Sequence, residues 1–240
     1  MNSLFSGIDC FLAQKKWEKE LDGMLEEIDL DPNTVARTER MLPKGAVKLV
    51  GRYLHYLAKV PNILRHGYAL REAVRHDMPI DLASVYLLTR RAEKLHADME
   101  AWYKLVVDDV GLPDEIKSQD PNSPFETVLS YTSPWVGTLY LGYWASMLII
   151  QNVLNGCHQN DEYTQKNHLF ARNIWRSLET VAAGVMGPYR VGYAVRISFE
   201  FADLPTQVWI HSLLARWQPL YAATSGDDYP SPGTNDYVFV

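Results

Sequence analysis

His211, Arg196 and Tyr143 are the side chains whose types suit proton transfer and charge stabilisation without a cofactor. His211 lies between Trp209-Ile210 and Leu213-Leu214. Its imidazole reads either as a buried core group or as a pocket acid/base, because its ordinary titration range is close to neutrality. Arg190 and Arg196 each offer a planar fork of donors to a ligand oxygen. Arg196 also stands four residues before Glu200 in the apolar run Val191-Gly-Tyr-Ala-Val-Arg-Ile-Ser-Phe-Glu-Phe. An intrahelical Arg196–Glu200 pair is the plainer account of these two, since a charge among apolar neighbours is costly unless paired.

A second set could line a substrate site. Tyr140 and Trp144 are four apart and share a helical face with Gln151, while Tyr143 aligns with Met147. Rings with polar tips suit the wall of an apolar small-molecule pocket. The plainer account of the same spacing is core packing with the hydroxyls bonded to backbone or water. Arg172, Arg176 and Glu179 form a further charged row at helical spacing. Glu93, His96 and Glu100, at i, i+3 and i+7, have a spacing that could bind a divalent ion, but their charge-rich surroundings favour a solvated face. Cys157-His158 has no partner in sequence for thiol chemistry.

The elements that must position these groups read as helices. The stretch Thr127 to Asn160 carries no formal charge, and its centre runs from Ser133 to Leu154. A helix apolar on every side is buried in a core or a bilayer. From Pro134 the segment has about 20 residues, the spanning length, but polar side chains interrupt it and no Lys/Arg cluster flanks it. The expected fold is therefore all-α, an irregular multi-helix array around a buried central apolar helix.

Ser3 to Glu27 has near-helical spacing, and Ala46 to Val60 is helical with a new helix at Pro61. Asp81 is the expected N-cap of a long helix through Arg90, Leu95, Trp102 and Val106. Gly111 to Pro124 reads as a polar loop and the most exposed connection. Helices follow at Asp161 to Val185, Tyr189 to Ala202 and Thr206 to Ala223. Residues 1–225 are read as one α-helical domain and 226–240 as a surface tail, whose end, Tyr237-Val-Phe-Val240, is apolar enough to dock.

The chain has 240 residues, 47% hydrophobic and 22% charged, values that exclude wholesale disorder. Its net charge is −6 and no Lys/Arg run exceeds two residues, which argues against a phosphate-tracking surface. No secretory signal pattern opens it. Cys10 and Cys157 are too few and too far apart for a disulfide framework or a cysteine zinc site, so an intracellular compartment, cytoplasm or nucleus, is expected. There is no P-loop, no dinucleotide glycine fingerprint, no Gly-x-Ser-x-Gly and no His-Glu-x-x-His. Any catalysis is expected to use no metal and no cofactor and to rest on shape and orientation.

Several segments carry a resemblance: Ser123-Pro-Phe-Glu-Thr through Tyr140-Leu-Gly-Tyr-Trp-Ala, Ile174-Trp-Arg-Ser-Leu-Glu, Met186-Gly-Pro-Tyr-Arg, and Arg91-Ala-Glu-Lys-Leu-x-x-x-Met-Glu-Ala-Trp-Tyr103. Over residues 45 to 223 the chain resembles the C-terminal part of the helical regulatory domain of fungal zinc-binuclear-cluster transcription factors. The resemblance implies an all-α fold and a small-molecule pocket, and carries over no catalytic residue. The six-cysteine DNA-binding cluster and the first part of that domain are missing from these residues, so no direct nucleic-acid contact is expected.

Two functions follow. One is cofactor-free cyclisation or isomerisation of an apolar fungal metabolite, a pericyclic step being one form of it. For it Tyr140, Tyr143, Trp144, Met147, Gln151, Arg190 and Arg196 form the lining and His211 the acid/base. The other is a non-catalytic domain that senses a ligand or dimerises. Its partners would be an apolar small molecule and a second copy, with no membrane.

Overall fold

A computed structural model of the chain describes residues 46–221, 226 and 229–234. The expected helix at Ser3–Glu27 and the docking end Tyr237–Val240 lie outside the described residues. The described part is mostly helical with one short hairpin, an all-α fold. It comprises α1 (Ala46–Leu57), α2 (Val60–Arg75), α3 (Leu82–Val110), β1 (Asp114–Lys117), β2 (Thr127–Ser130), α4 (Pro134–His158), α5 (Thr164–Val181), α6 (Gly187–Ser198), a 3-10 turn (Phe199–Phe201) and α7 (Leu204–Trp217). Among the described residues no helix is long and apolar enough to cross a membrane.

The chain divides into two compact units, with the line falling inside α4 after Leu148. The first contains α1 to α3 and the segment Ile149–Thr164. Asp81 opens α3 by accepting hydrogen bonds from the Ala83 amide at 3.0 Å and the Ser84 hydroxyl at 2.6 Å. Both would otherwise be orphan or solvated donors at a helix start. Along α3 the buried residues are Leu88, Ala92, Leu95, Met99, Trp102 and Val106. Their alternating four- and three-residue steps form one stripe, the pattern of a helix packed on one side. Trp102 stacks on Tyr53 of α1, with ring centroids 5.1 Å apart, and donates its indole N–H to the Leu49 carbonyl at 2.8 Å. Gly67 in α2 lies against Val153, so a Cβ there would run into the Val153 side chain.

The second unit holds the hairpin, the first part of α4, and α5 to α7. Every residue from Leu139 to Gln151 is buried, which fits the absence of charge along α4. Gly137 permits close approach to Val181 and Tyr131, because a Cβ would meet both. The face of α5 carrying Phe170, Ile174, Trp175, Leu178 and Val181 is buried. Asp203 caps α7 through the Thr206 amide at 3.1 Å, and Pro205 sits in the first turn where no donor is needed.

One connection differs from the sequence expectation. Asp114–Lys117, expected as part of a polar loop, forms a strand that pairs antiparallel with Thr127–Ser130. The strand is exposed along its length and lacks an apolar alternation. Contacts from distant helices hold it. Arg176 donates to the Thr127 carbonyl at 3.0 Å and reaches Glu115 at 2.9 Å. Glu179 accepts from the Ser118 hydroxyl and the Gln119 amide, both at 2.7 Å. Asp120 accepts from the Trp209 indole at 3.3 Å and from Arg216 at 3.1 Å. The charged row on α5 therefore serves as a clamp for the hairpin.

Candidate functional site

The aromatic residues of α4 pack on protein rings. Tyr140 is 1% exposed and lies 5.5 Å from both the Tyr131 and Trp144 rings. Tyr143 meets Phe170 edge to face at 5.8 Å. Met147 is fully buried. These four behave as core, with the favoured offset and edge geometries of aromatic pairs. Tyr193 of α6 and Ser146 add a buried polar pair at 3.3 Å, and burial pushes the Tyr193 phenol far above its ordinary range.

Gln151 belongs to the first unit and faces α3. Its amide nitrogen is 3.0 Å from His96 Nε2. With the amide donating, that ring nitrogen accepts, and the ring proton sits on Nδ1, 3.7 Å from Glu100. The Gln151 carbonyl oxygen is buried and has no hydrogen-bond partner. His96 also tilts against Tyr163 at 5.3 Å, and Glu93 lies 3.8 Å from His158. His96 thus faces Glu100 and Gln151, while Glu93 turns to His158. Among the described residues no group of three or more His, Cys, Asp or Glu is placed to hold a metal ion. Burial raises the Cys157 thiol above its ordinary pKa, with Thr89 acting more weakly the other way, so a reactive thiolate is disfavoured.

His211 and Arg196 come together at a residue of the segment expected as a surface tail. Tyr229 is 7% exposed. The Arg196 guanidinium carbon lies 5.0 Å from the centre of its ring. Phe199 meets the same ring at 5.5 Å and the His211 ring at 5.5 Å, both near perpendicular. His211 Nε2 donates to the Pro230 carbonyl at 2.9 Å, which leaves Nδ1 facing Gly226. The Gly233 amide donates to Gln207 at 2.9 Å, tying the following turn to α7. Residues of α6, the 3-10 turn and α7 therefore form a seat for one phenol ring. An imidazole, a guanidinium and a phenyl edge surround it, chemistry that holds an aromatic group by cation–π and edge contacts.

The remaining candidate, Arg190, stands apart. Its guanidinium lies over the exposed Trp135 ring at 5.5 Å, and its Nε is buried without a hydrogen-bond partner. Of the eight residues singled out from sequence, only Arg196 and His211 share a described contact partner in this seat. Tyr229, Phe199 and the Pro230 carbonyl complete it and were not foreseen. The one sequence signal for them is an aromatic residue set before proline in Asp228-Tyr229-Pro230. No protein-family model, no curated protein and no solved structure matches the chain.

Proposed function

We propose that the chain is a helical regulatory module of the kind found in fungal zinc-cluster transcription factors, and that it binds an aromatic small molecule without turning it over. The observation that carries this reading is the convergence of Arg196, Phe199 and His211 on the Tyr229 ring. A ligand ring would take the place Tyr229 fills, and exchange of the two would move the C-terminal segment. A ligand shifts such an equilibrium by its differential affinity for the two arrangements. Turnover is the weaker reading because Tyr143 packs on Phe170 and the His211 N–H is committed to Pro230. The same reading takes the protein as intracellular, acting with a small molecule and, as a homodimer, with itself.

A second reading keeps one specific support. An acid/base imidazole and a guanidinium do face one aromatic seat, which is what a cofactor-free isomerase or cyclase would need. Mass spectrometry of small molecules on the purified chain, before and after incubation with an extract of its producing host, separates the two. A ligand retained unchanged, and lost from Arg196→Met, supports binding. A new product isomeric with a consumed metabolite establishes the enzyme instead. No retained molecule on either the intact chain or Tyr229→Ala removes both.

A further inference from the structure

Among the described residues the outer edge of β1 has no strand partner, and it carries a definite pattern. The Ser118 amide donates to the Glu126 carbonyl, continuing the register Lys117–Thr127 and Ile116–Val128. In an antiparallel ladder, backbone groups alternate between facing the partner and facing away. Ser118, Ile116 and Asp114 therefore point their N–H and C=O towards β2, while Glu115 and Lys117 point theirs outwards. The Gln119 side chain agrees with this direction by donating to the Lys117 carbonyl at 3.3 Å, a contact that an incoming strand would share or displace. All four residues of β1 are exposed, and Ile116 is 42% exposed.

We infer that this edge pairs with the same edge of a second copy, joining two hairpins into a four-stranded antiparallel sheet in the register Glu115 to Lys117 of the other copy. Three registers allow outward groups to meet. One sets Glu115 on Glu115 and brings Pro113, which has no N–H, opposite Lys117. Another sets Lys117 on Lys117. The third sets each Glu115 opposite a Lys117, twice about a two-fold axis, with Ile116 facing Ile116 at the axis. It alone forms two full hydrogen-bonded pairs and places opposite charges together, the arrangement that stabilises cross-strand pairs. Charged residues on an edge usually deter pairing. Here their order makes them selective, repelling two registers and attracting in the third.

Arg176 holds the Glu115 carboxylate at one oxygen, which leaves the other for lysine. Two such short strands bury less than a permanent dimer needs, so the association is a weak one. It stands whether or not the Tyr229 seat takes a ligand.

Sedimentation velocity on the full chain, up to about 500 µM, reads the association, with folding of every variant checked by circular dichroism. Lys117→Glu is expected to weaken it about tenfold. In a chain carrying Cys10→Ser and Cys157→Ser, Ile116→Cys should cross-link on oxidation, since non-hydrogen-bonded partners sit about 4.5 Å apart, within disulfide reach. Asp114→Cys should not, because this register separates the two positions by about 13 Å. A chain that stays monomeric, with no cross-link formed by the Ile116→Cys variant, overturns the inference. So does a dimer indifferent to Lys117→Glu, or a hetero-complex with a foreign strand in place of self-pairing.

Discussion

Arg196 sets its guanidinium carbon 5.0 Å from the ring centre of Tyr229, and so joins the end of α6 to a segment more than thirty residues further along the chain. The contact gives a buried aromatic ring a charged neighbour, which is why the tail is more than a solvated end. Cation–π contacts contribute about 0.5–2 kcal/mol according to their exposure.

Replacing Tyr229 with alanine should therefore lower stability by about 2–3 kcal/mol, near the lower end for deletion of a buried aromatic because the segment can relax. Tyr229→Phe should keep most of it, since the ring contacts survive. Urea unfolding of the two variants checks this, and equal losses would mean that the hydroxyl rather than the ring matters.

Close packing of α2 at Gly67 yields a second expectation. Gly67→Ala should cost about 1–3 kcal/mol by forcing Val153 aside. Val153→Ala in the same chain should recover part of that loss, a coupling that a double-mutant cycle measures directly. Additive losses would place the strain elsewhere.

Trp102→Phe removes one buried hydrogen bond to the Leu49 carbonyl while keeping a ring against Tyr53. A loss of about 1 kcal/mol is expected in urea unfolding, the usual net value of such a bond. Trp102→Ala should cost several times more, as the stripe of α3 loses its largest member.

Asp120 sets a pH dependence. The Asn122 amide, with smaller help from the Trp209 indole and Arg216, holds its carboxyl below the ordinary 3.8 against the opposing effect of burial. A pKa lower in the folded state means stability that is present in full above the ordinary value and is lost as pH falls through the folded value. Wild type should therefore lose stability below pH 3.8 more steeply than Asp120→Asn, measured by denaturant unfolding across acid pH. Parallel curves would remove Asp120 from the acid response.

Much of the helical framework was legible locally. Asp81 as a cap, the four-and-three spacing from Leu88 to Val106, and the uncharged run of α4 each follow from rules that act within a few turns. The turn into α7 at Asp203-Leu-Pro is of the same kind. Such signals need no knowledge of what the helix packs against, because burial on one face and satisfaction of end groups leave their mark in the order of residues.

Only the tertiary structure decided the rest. Asp114-Glu-Ile-Lys117 has no local reason to be a strand and becomes one through Thr127–Ser130 and the clamps from Arg176 and Glu179. Gln151, placed with the α4 aromatics by periodicity, turns to His96 instead. Tyr229 looked solvated because nothing near it in sequence could bury it, whereas Arg196, Phe199 and His211 do so from distant positions. Pairing across long separations depends on which surfaces the folded helices bring together, and periodicity along one segment carries no record of that.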